Sequence, residues 1–287
     1  MKREVATLKK MAQILNLSTS TISRALNNHP DISEVTTKKV TDLAKKLNYM
    51  PNIFAKGFRQ HKTNIIGVIL MSLSKNTKNI DPVLYALNQK PLILFDKIST
   101  KVPCTQIIIN GEEAAFNAVE HLINIGKKKI AILKESEFSY TSEIRFKGYL
   151  RALKTYNIPI DEKYILSTDD ISLDKGKIMT RQLISLQDRP DAIFSITDDA
   201  AIGAIQILKK FKIKIPDEIA VIGFSNSLNS KIIEPNLTTV DQPGKRIGEL
   251  CVDFLIKEID QPKEYLTSKT IEIKTNLIIR DSTLTSL

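Results

Sequence analysis

Apolar side chains recur at helical spacing in three stretches of the first fifty residues. Within each stretch they occupy positions i, i+3 and i+4, and in two of the stretches also i+7, which places them on one face of a helix. The three stripes are Leu8, Met11, Ala12 and Leu15; Ile22, Ala25 and Leu26; and Val40, Leu43, Ala44 and Leu47. Thr7 and Ser18 stand where N-caps are expected, and Asn16 tolerates the left-handed conformation of a tight turn. The pattern predicts a helix-turn-helix domain.

Beyond residue 63, apolar runs alternate with helical stretches, which is typical of a parallel sheet with crossover helices. Strands are predicted at 65–70, 92–95, 130–133, 192–196, 219–224 and 270–273. Helices are predicted at 112–125, 142–156, 174–187, 199–211 and 244–259. We therefore expect an α/β domain after the helical one.

Charge separates the same two regions. Residues 1–62 contain 12 Lys and Arg against 4 Asp and Glu, whereas the remaining residues contain 30 against 28. A basic module ahead of a nearly neutral body indicates a polyanionic partner. Charge alone leaves a solvated basic face as the alternative.

The outer face of the second predicted helix differs from an ordinary surface helix, which would carry Lys, Glu and Gln. It carries short polar side chains and a single arginine: Thr19, Ser20, Ser23, Arg24 and Asn27. Short side chains let a helix enter the major groove, and an arginine can donate two hydrogen bonds to guanine. On spacing alone, a three-helix bundle with a Ser/Thr-rich surface is the alternative.

These segments resemble the opening of LacI/GalR repressors. The resemblance lies in residues 7–12, 17–27, 47–52 and 55–58. It implies that Thr19, Ser20 and Arg24 read bases. It further implies that the residues that position the domain on phosphates are Ser18, Ser23, Asn27, Ser33, Thr36, Tyr49 and Asn52. Asn16 replaces the glycine that is usual in the family.

The resemblance also implies a hinge helix at residues 52–59, with Lys56 and Phe58 among the DNA contacts. In the family an apolar side chain, usually leucine, inserts between base pairs of the minor groove, and Phe58 takes that position here. The alternative for Phe58, an ordinary core residue, is disfavoured by its polar neighbours. Isolated helices of this length are marginal in water, so we expect the hinge to order only when two copies pack together on DNA.

For the free protein we predict fast amide exchange across residues 52–62, because this segment is short and polar. The exchange is expected to slow when operator DNA is added. Hydrogen exchange measured with and without DNA tests the prediction. Strong protection in the absence of DNA would refute it.

The body resembles the effector domain of the same family, which is itself similar to periplasmic sugar-binding proteins. The resemblance lies in residues 91–96, 118–126, 145–149, 197–204, 219–224 and 235–243. It implies a small, sugar-like ligand in a cleft between two doubly wound subdomains. The residues placed near that cleft are Arg145, Thr197, Asp198, Ser225 and Gln242. An arginine there suits hydroxyls or a carboxylate; without the resemblance, Arg145 would be interpreted as a surface helix residue.

Two features depart from the family pattern. Ser225 stands where an aspartate typically binds a sugar hydroxyl, so the ligand class is open. The family has two strand–helix units between the first strand and the strand at 92–95, and one crossover unit needs about thirty residues or more, yet only residues 70–91 intervene. We therefore expect an internal deletion of about fifty residues. It should weaken or abolish effector binding and impair the homodimer that the family implies.

Other function classes find no support in the sequence. It contains no dinucleotide fingerprint, metal-ligand spacing or nucleophile elbow, so we predict neither an enzyme nor a cofactor. Cys104 and Cys251 are lone cysteines, which suit a reducing compartment. The longest apolar run, at 65–71, is too short for a membrane span, and the first residues lack an apolar signal segment. We therefore expect a cytoplasmic protein, associated with the nucleoid through DNA, and no membrane partner.

The expected molecule has three parts: a helix-turn-helix domain at 1–50, a hinge at 51–62 and an effector domain at 63–287. The effector domain is expected to be α/β and similar to periplasmic binding proteins, with two doubly wound subdomains, the first of them incomplete. The expected function is a sequence-specific transcriptional regulator, a repressor that binds a double-stranded DNA operator and responds to a small molecule such as a sugar. The alternatives are a solute-binding module and a degenerate regulator without effector response.

Overall fold

The computed structural model describes residues 7–47, 49, 91–96, 98, 102–136, 139–260 and 268–284. They belong to two compact units, one helical and one α/β, whose boundary falls at residues 69 and 70. The predicted strand at 65–70 and the hinge at 51–62 lie outside the described residues. Within the described part of the chain, no helix is long and apolar enough to cross a membrane.

The helical unit consists of α1 (Leu8–Leu15), α2 (Thr19–Leu26) and α3 (Glu34–Lys46). Thr7 and Ser18 cap α1 and α2, as predicted, each accepting a backbone N–H through its hydroxyl oxygen. Asn16 ends α1 in the left-handed conformation, with φ 49° and ψ 47°. The three apolar stripes meet in one core, whose buried members are Met11, Ala12, Ile22, Ala25, Val40 and Ala44. The polar face of α2 is thereby turned outward.

The larger sheet of the α/β unit has six strands. In chain order they are β3 (Ile130–Glu135), β4 (Ile165–Thr168), β5 (Ala192–Ser195), β6 (Ala220–Ser225), β7 (Thr238–Asp241) and β9 (Asn276–Ile278). Their order across the sheet is β4-β3-β5-β6-β7-β9, and every pair is parallel except β7 with β9. The central strands carry continuous buried apolar runs, as expected of a parallel sheet covered on both faces.

Four helices accompany this sheet: α4 (Gly111–Asn124), α5 (Tyr140–Thr155), α6 (Leu173–Ser185) and α7 (Asp198–Lys210). They pack closely in two pairs, α4 with α5 and α6 with α7. Gly148 allows α4 and α5 to pack closely, and Gly203 does the same for α6 and α7. A Cβ at either position would lie 2.2 Å from a carbonyl oxygen of the neighbouring helix. Real Cβ atoms do not tolerate that separation, so glycine is required at both contacts.

The smaller sheet contains the described strands β1 (Ile93–Phe95), β2 (Thr105–Ile109) and β8 (Thr270–Ile273), all parallel and in the order β1-β2-β8. Helix α8 (Gly244–Asp260) packs against β1 and β2. Among the described residues, the chain passes between the two sheets after β2, after β7 and after β8. These connections build two α/β subdomains, with the smaller sheet in the first.

The described part of the fold confirms the predicted class. Five predicted strands correspond to β1, β3, β5, β6 and β8, and all five predicted helices of the body correspond to α4 to α8. Strands β2, β4, β7 and β9 were not predicted. Of these, β4, β7 and β9 have only three or four residues and carry Ser, Thr, Asp or Asn, so their apolar signal is too weak to identify them alone.

Candidate DNA-binding face and effector cleft

The polar face of α2 is exposed in the structure. Thr19, Ser20 and Arg24 are exposed, whereas Ile22 and Ala25 on the opposite face are fully buried. Since the apolar face alone holds α2 in the three-helix core, its polar face can approach a partner without disturbing the fold.

Two expected phosphate contacts also begin helices. Ser18 Oγ accepts the N–H of Thr21 at 3.0 Å, and Ser33 Oγ accepts the N–H of Thr36 at 3.3 Å. The hydroxyl oxygens of Ser33 and Thr36 lie 2.9 Å apart. The first N–H groups of a helix have no intrahelical acceptor and can bind an anion. The starts of α2 and α3 therefore suit phosphate oxygens.

The remaining expected DNA contacts include two residues that the structure describes and three that it does not. Asn27 is exposed, and its amide nitrogen donates to the carbonyl oxygen of Ser23 at 2.7 Å. Tyr49 is half-buried against the helical core, and this burial raises the pKa of its hydroxyl. The other three expected contacts, Asn52, Lys56 and Phe58, lie outside the described residues.

A narrow cleft runs between the smaller sheet and the start of α5. Its polar lining comes from Asp96, Tyr140, Thr141, Arg145 and Gln242, and its apolar walls come from five isoleucines of β2, α5 and α8. The cavity volume is about 20 Å³, which is close to the space that one water molecule needs. In this conformation the cleft is closed to a sugar-sized ligand.

Arg145 lies at the edge of this cleft and is only 5% exposed. Its Nη1 donates to the carbonyl oxygen of Ile196 at 2.6 Å, and its guanidinium carbon is 3.7 Å from the ring centre of Phe224. Its Nε has no hydrogen-bond partner within the described structure. Burial lowers the pKa of Arg145 to about 10, opposed by nearby carboxylates, with Asp96 first among them. Arg145 is therefore a buried cation at neutral pH, and its interpretation as a surface residue is wrong.

Asp96 and Gln242 join the two subdomains across the cleft. Gln242 Nε2 donates to Asp96 Oδ1 at 2.8 Å. Asp96 follows β1 with φ 59° and Gln242 follows β7, so both stand at carboxyl ends of parallel strands, where α/β ligand sites form. Gln242 was among the predicted effector residues, whereas Asp96, Tyr140 and Thr141 were not. Asp96 could have been found, because it directly follows a predicted strand.

The other three expected effector residues do not line this cavity. Thr197 caps α7. Asp198 is 2% exposed and accepts two hydrogen bonds, from the Thr239 hydroxyl at 2.5 Å and from the Ser227 N–H at 2.6 Å. Ser225 ends β6 with φ 130°. Of the five residues that the resemblance placed near the cleft, the structure brings only Arg145 and Gln242 together on its wall.

Comparison with known proteins assigns the family. The pattern of the bacterial regulatory proteins of the lacI family matches residues 7–52, and that of a periplasmic binding protein-like domain matches residues 119–283, more than half of the chain. The probable HTH-type transcriptional repressor ExuR of Bacillus subtilis is 31% identical, and the match covers 97% of this chain and 98% of ExuR. This chain belongs to the LacI family.

Other proteins also match this chain over most of its length. The NTD biosynthesis operon regulator NtdR of Bacillus subtilis is 29% identical to this chain. The match covers 96% of this chain and 99% of NtdR. A LacI-family regulatory protein from Chloroflexus aggregans is 30% identical with a TM-score of 0.67, covering 80% of both chains. The operator-bound lac repressor dimer shares the fold, with a TM-score of 0.76 at 21% identity over 98% of this chain and 100% of its own.

This LacI-family chain is shorter than its relatives. The match with ExuR spans 330 positions, whereas 97% of the 287 residues is only about 278, so about fifty positions of ExuR have no counterpart here. They are internal, because the match covers 98% of ExuR. Their number agrees with the internal deletion of about fifty residues that the spacing of the predicted strands indicates. Together, the helix-turn-helix unit and the repressor relatives show that the chain is a DNA-binding transcriptional regulator.

Proposed function

We propose that this regulator represses transcription from a specific operator, which it reads with the outer face of α2, and that its response to an effector is weak or lost. The observation that carries the first part is the exposure of Thr19, Ser20 and Arg24 on one side of a helix whose other side is fully buried. Base edges of the major groove are read by short side chains and by arginine. The N-capped starts of α2 and α3 would position this face on the phosphates.

The second part rests on the size of the cleft. Pockets for small ligands usually measure about 300–1,000 Å³ and bury most of the ligand, whereas this one holds about 20 Å³. Asp96 and Gln242, which are hydrogen-bonded to each other, line the same cavity as Arg145. The internal deletion, which we assign to the stretch between the first predicted strand and β1, removes part of the subdomain that would form the opposite wall.

The homodimer of the family is expected to be impaired for a related reason. Val252, Ile256 and Ile259 form a stripe along α8, and each side chain is 46–51% exposed. In the intact family fold, additional strand–helix units belong to this subdomain. An uncovered apolar stripe favours non-specific association over a defined dimer, which supports the proposal of weakened assembly.

Operator binding is tested by selecting a site from a random DNA library and measuring fluorescence anisotropy as a function of salt. A regulator is expected to prefer the selected site over random DNA by a factor on the order of 10³ or more, with affinity that falls as salt rises. Equal affinity for both DNAs would instead indicate a degenerate regulator. A solute-binding module would bind neither.

Effector response is tested by calorimetry with a panel of sugars, sugar acids and nucleosides, combined with a mass measurement in solution. We expect no tight binding and a mixture of monomer and larger species. Tight binding by a homogeneous dimer would contradict the proposal, and the shortened segment would then preserve the cleft. We further propose that the chain is not an enzyme and acts in the cytoplasm, on the nucleoid.

A further inference from the structure

The turn that follows β6 holds two adjacent residues in backbone conformations that side chains other than glycine rarely adopt. Ser225 has φ 130° and Asn226 has φ 51°. Asparagine tolerates the second value, but the first is a region that glycine alone adopts freely. Strain of this kind persists only where the surrounding structure over-determines the backbone. The turn is therefore expected to be held by specific contacts on its backbone and on its side chains.

Asp198 and Thr239 hold the backbone of the turn. The N–H of Ser227 donates to Asp198 Oδ2 at 2.6 Å, and the N–H of Asn226 donates to Thr239 Oγ1 at 3.2 Å. The same Thr239 hydroxyl donates to Asp198 Oδ1 at 2.5 Å. Both carboxylate oxygens of Asp198 are thus occupied inside the protein. Burial raises the pKa of Asp198, while the hydrogen bonds from Thr239 and Ser227 lower it.

Arg280 and Asp241 hold the side chain of the turn. Arg280 Nη2 donates to Asn226 Oδ1 at 2.6 Å, and Asn226 Nδ2 donates to Asp241 Oδ1 at 2.7 Å. Arg280 Nη1 donates to the carbonyl oxygen of Leu237 at 2.7 Å and to Ser230 Oγ at 3.1 Å. The planar guanidinium serves these acceptors from two separate nitrogens in fixed directions, whereas the three N–H groups of an ammonium all leave one nitrogen.

Asp241 connects this network to the cleft. It is the last residue of β7, and the next residue, Gln242, donates to Asp96 across the two subdomains. Asp241 is paired in the sheet with Ser225 of β6 and Asn276 of β9, and the Asn226 amide adds a hydrogen bond to its side chain. The hydrogen-bond network of the turn therefore ends at the residue next to the one that bridges the cleft.

We propose that Arg280 is a positioning residue of the cleft: through Asn226 it holds the strained turn, and through Asp241 it fixes the strand end that presents Gln242 to Asp96. Asp198 supports the same turn from the backbone side and does not contact the cavity. This role concerns the Asp96–Gln242 contact itself and does not depend on the proposed effector response.

Two variants of the full chain test this role without DNA or effector. Asn226→Gly adopts φ 51° without strain and removes only the bridging amide. Arg280→Lys keeps the positive charge but removes the planar guanidinium, which donates hydrogen bonds from separate nitrogens. Arg181→Lys, on the exposed side of α6, is the matched control. The readouts are amide exchange at residues 226 and 227, the side-chain amide resonance of Gln242 in ¹⁵N-glutamine-labelled protein, and the thermal midpoint.

We expect exchange at residue 227 to accelerate about tenfold or more in both test variants. The Gln242 resonance should move toward its solvent-exposed position, whereas the control and the thermal midpoints should stay close to those of the original chain. Unchanged exchange and an unchanged Gln242 resonance in Asn226→Gly would overturn the proposal. Unchanged exchange and an unchanged Gln242 resonance in Arg280→Lys would also overturn the proposal, because a positive charge alone would then be enough to hold the turn. If Arg280→Lys does not fold, Asn226→Gly decides.

Discussion

Arg24→Ala is expected to weaken binding to the selected operator by about 1–3 kcal/mol, while affinity for random DNA changes little. The reason is that Arg24 is exposed on the outer face of α2, where its guanidinium can donate two hydrogen bonds to one guanine. Random DNA seldom offers that guanine in register, so most of the loss should fall on the specific site. Fluorescence anisotropy with both DNAs measures the difference.

Arg181→Ala is the matched control for this experiment. Arg181 is an exposed arginine on α6, so its removal lowers the net charge by the same amount without touching the helix-turn-helix unit. It should leave the preference for the selected operator unchanged. If Arg24→Ala instead weakened binding to both DNAs equally, Arg24 would be a phosphate contact and the base-reading role would be wrong.

Gly148→Ala is expected to lower the free energy of unfolding of the α/β unit by about 3 kcal/mol, at the upper end of ordinary overpacking costs. A Cβ at this position would lie 2.2 Å from the carbonyl oxygen of Glu112 and 2.8 Å from the Cβ of Ala115. Backbone atoms of α4 cannot move aside as a flexible side chain can, so α4 and α5 would have to separate. Urea unfolding followed by circular dichroism measures the change.

Gly248→Ala provides the opposite expectation from the same substitution. Gly248 is exposed to solvent and lies within helix α8, away from its ends. A Cβ there would meet nothing within 4 Å. Alanine is favoured over glycine in helices by about 1 kcal/mol, so this variant should be as stable as the original or slightly more stable. A stability of Gly148→Ala equal to that of Gly248→Ala would show that the close contact of α4 and α5 is absent in solution.

The sequence by itself determined the helical unit and its polar face. The stripes around Met11, Ile22 and Val40 predict three helices, and Ser18 predicts the start of the second; the structure confirms each of these. This was possible because caps and helical stripes depend on residues three or four positions apart, which a single sequence displays directly. The spacing along the chain also predicts that about fifty residues are absent, and the longer match with ExuR agrees with that number.

Only the tertiary structure decided which polar groups meet at the cleft. Arg145 and Ile196 are 51 residues apart, and Gln242 and Asp96 are 146 apart, so no local pattern predicts either contact. The resemblance placed Asp198 near the cleft, but its partners Ser227 and Thr239 occupy both of its carboxylate oxygens inside the protein. A sequence places such side chains at strand ends; their orientation follows from burial and from hydrogen-bond partners that come from distant strands.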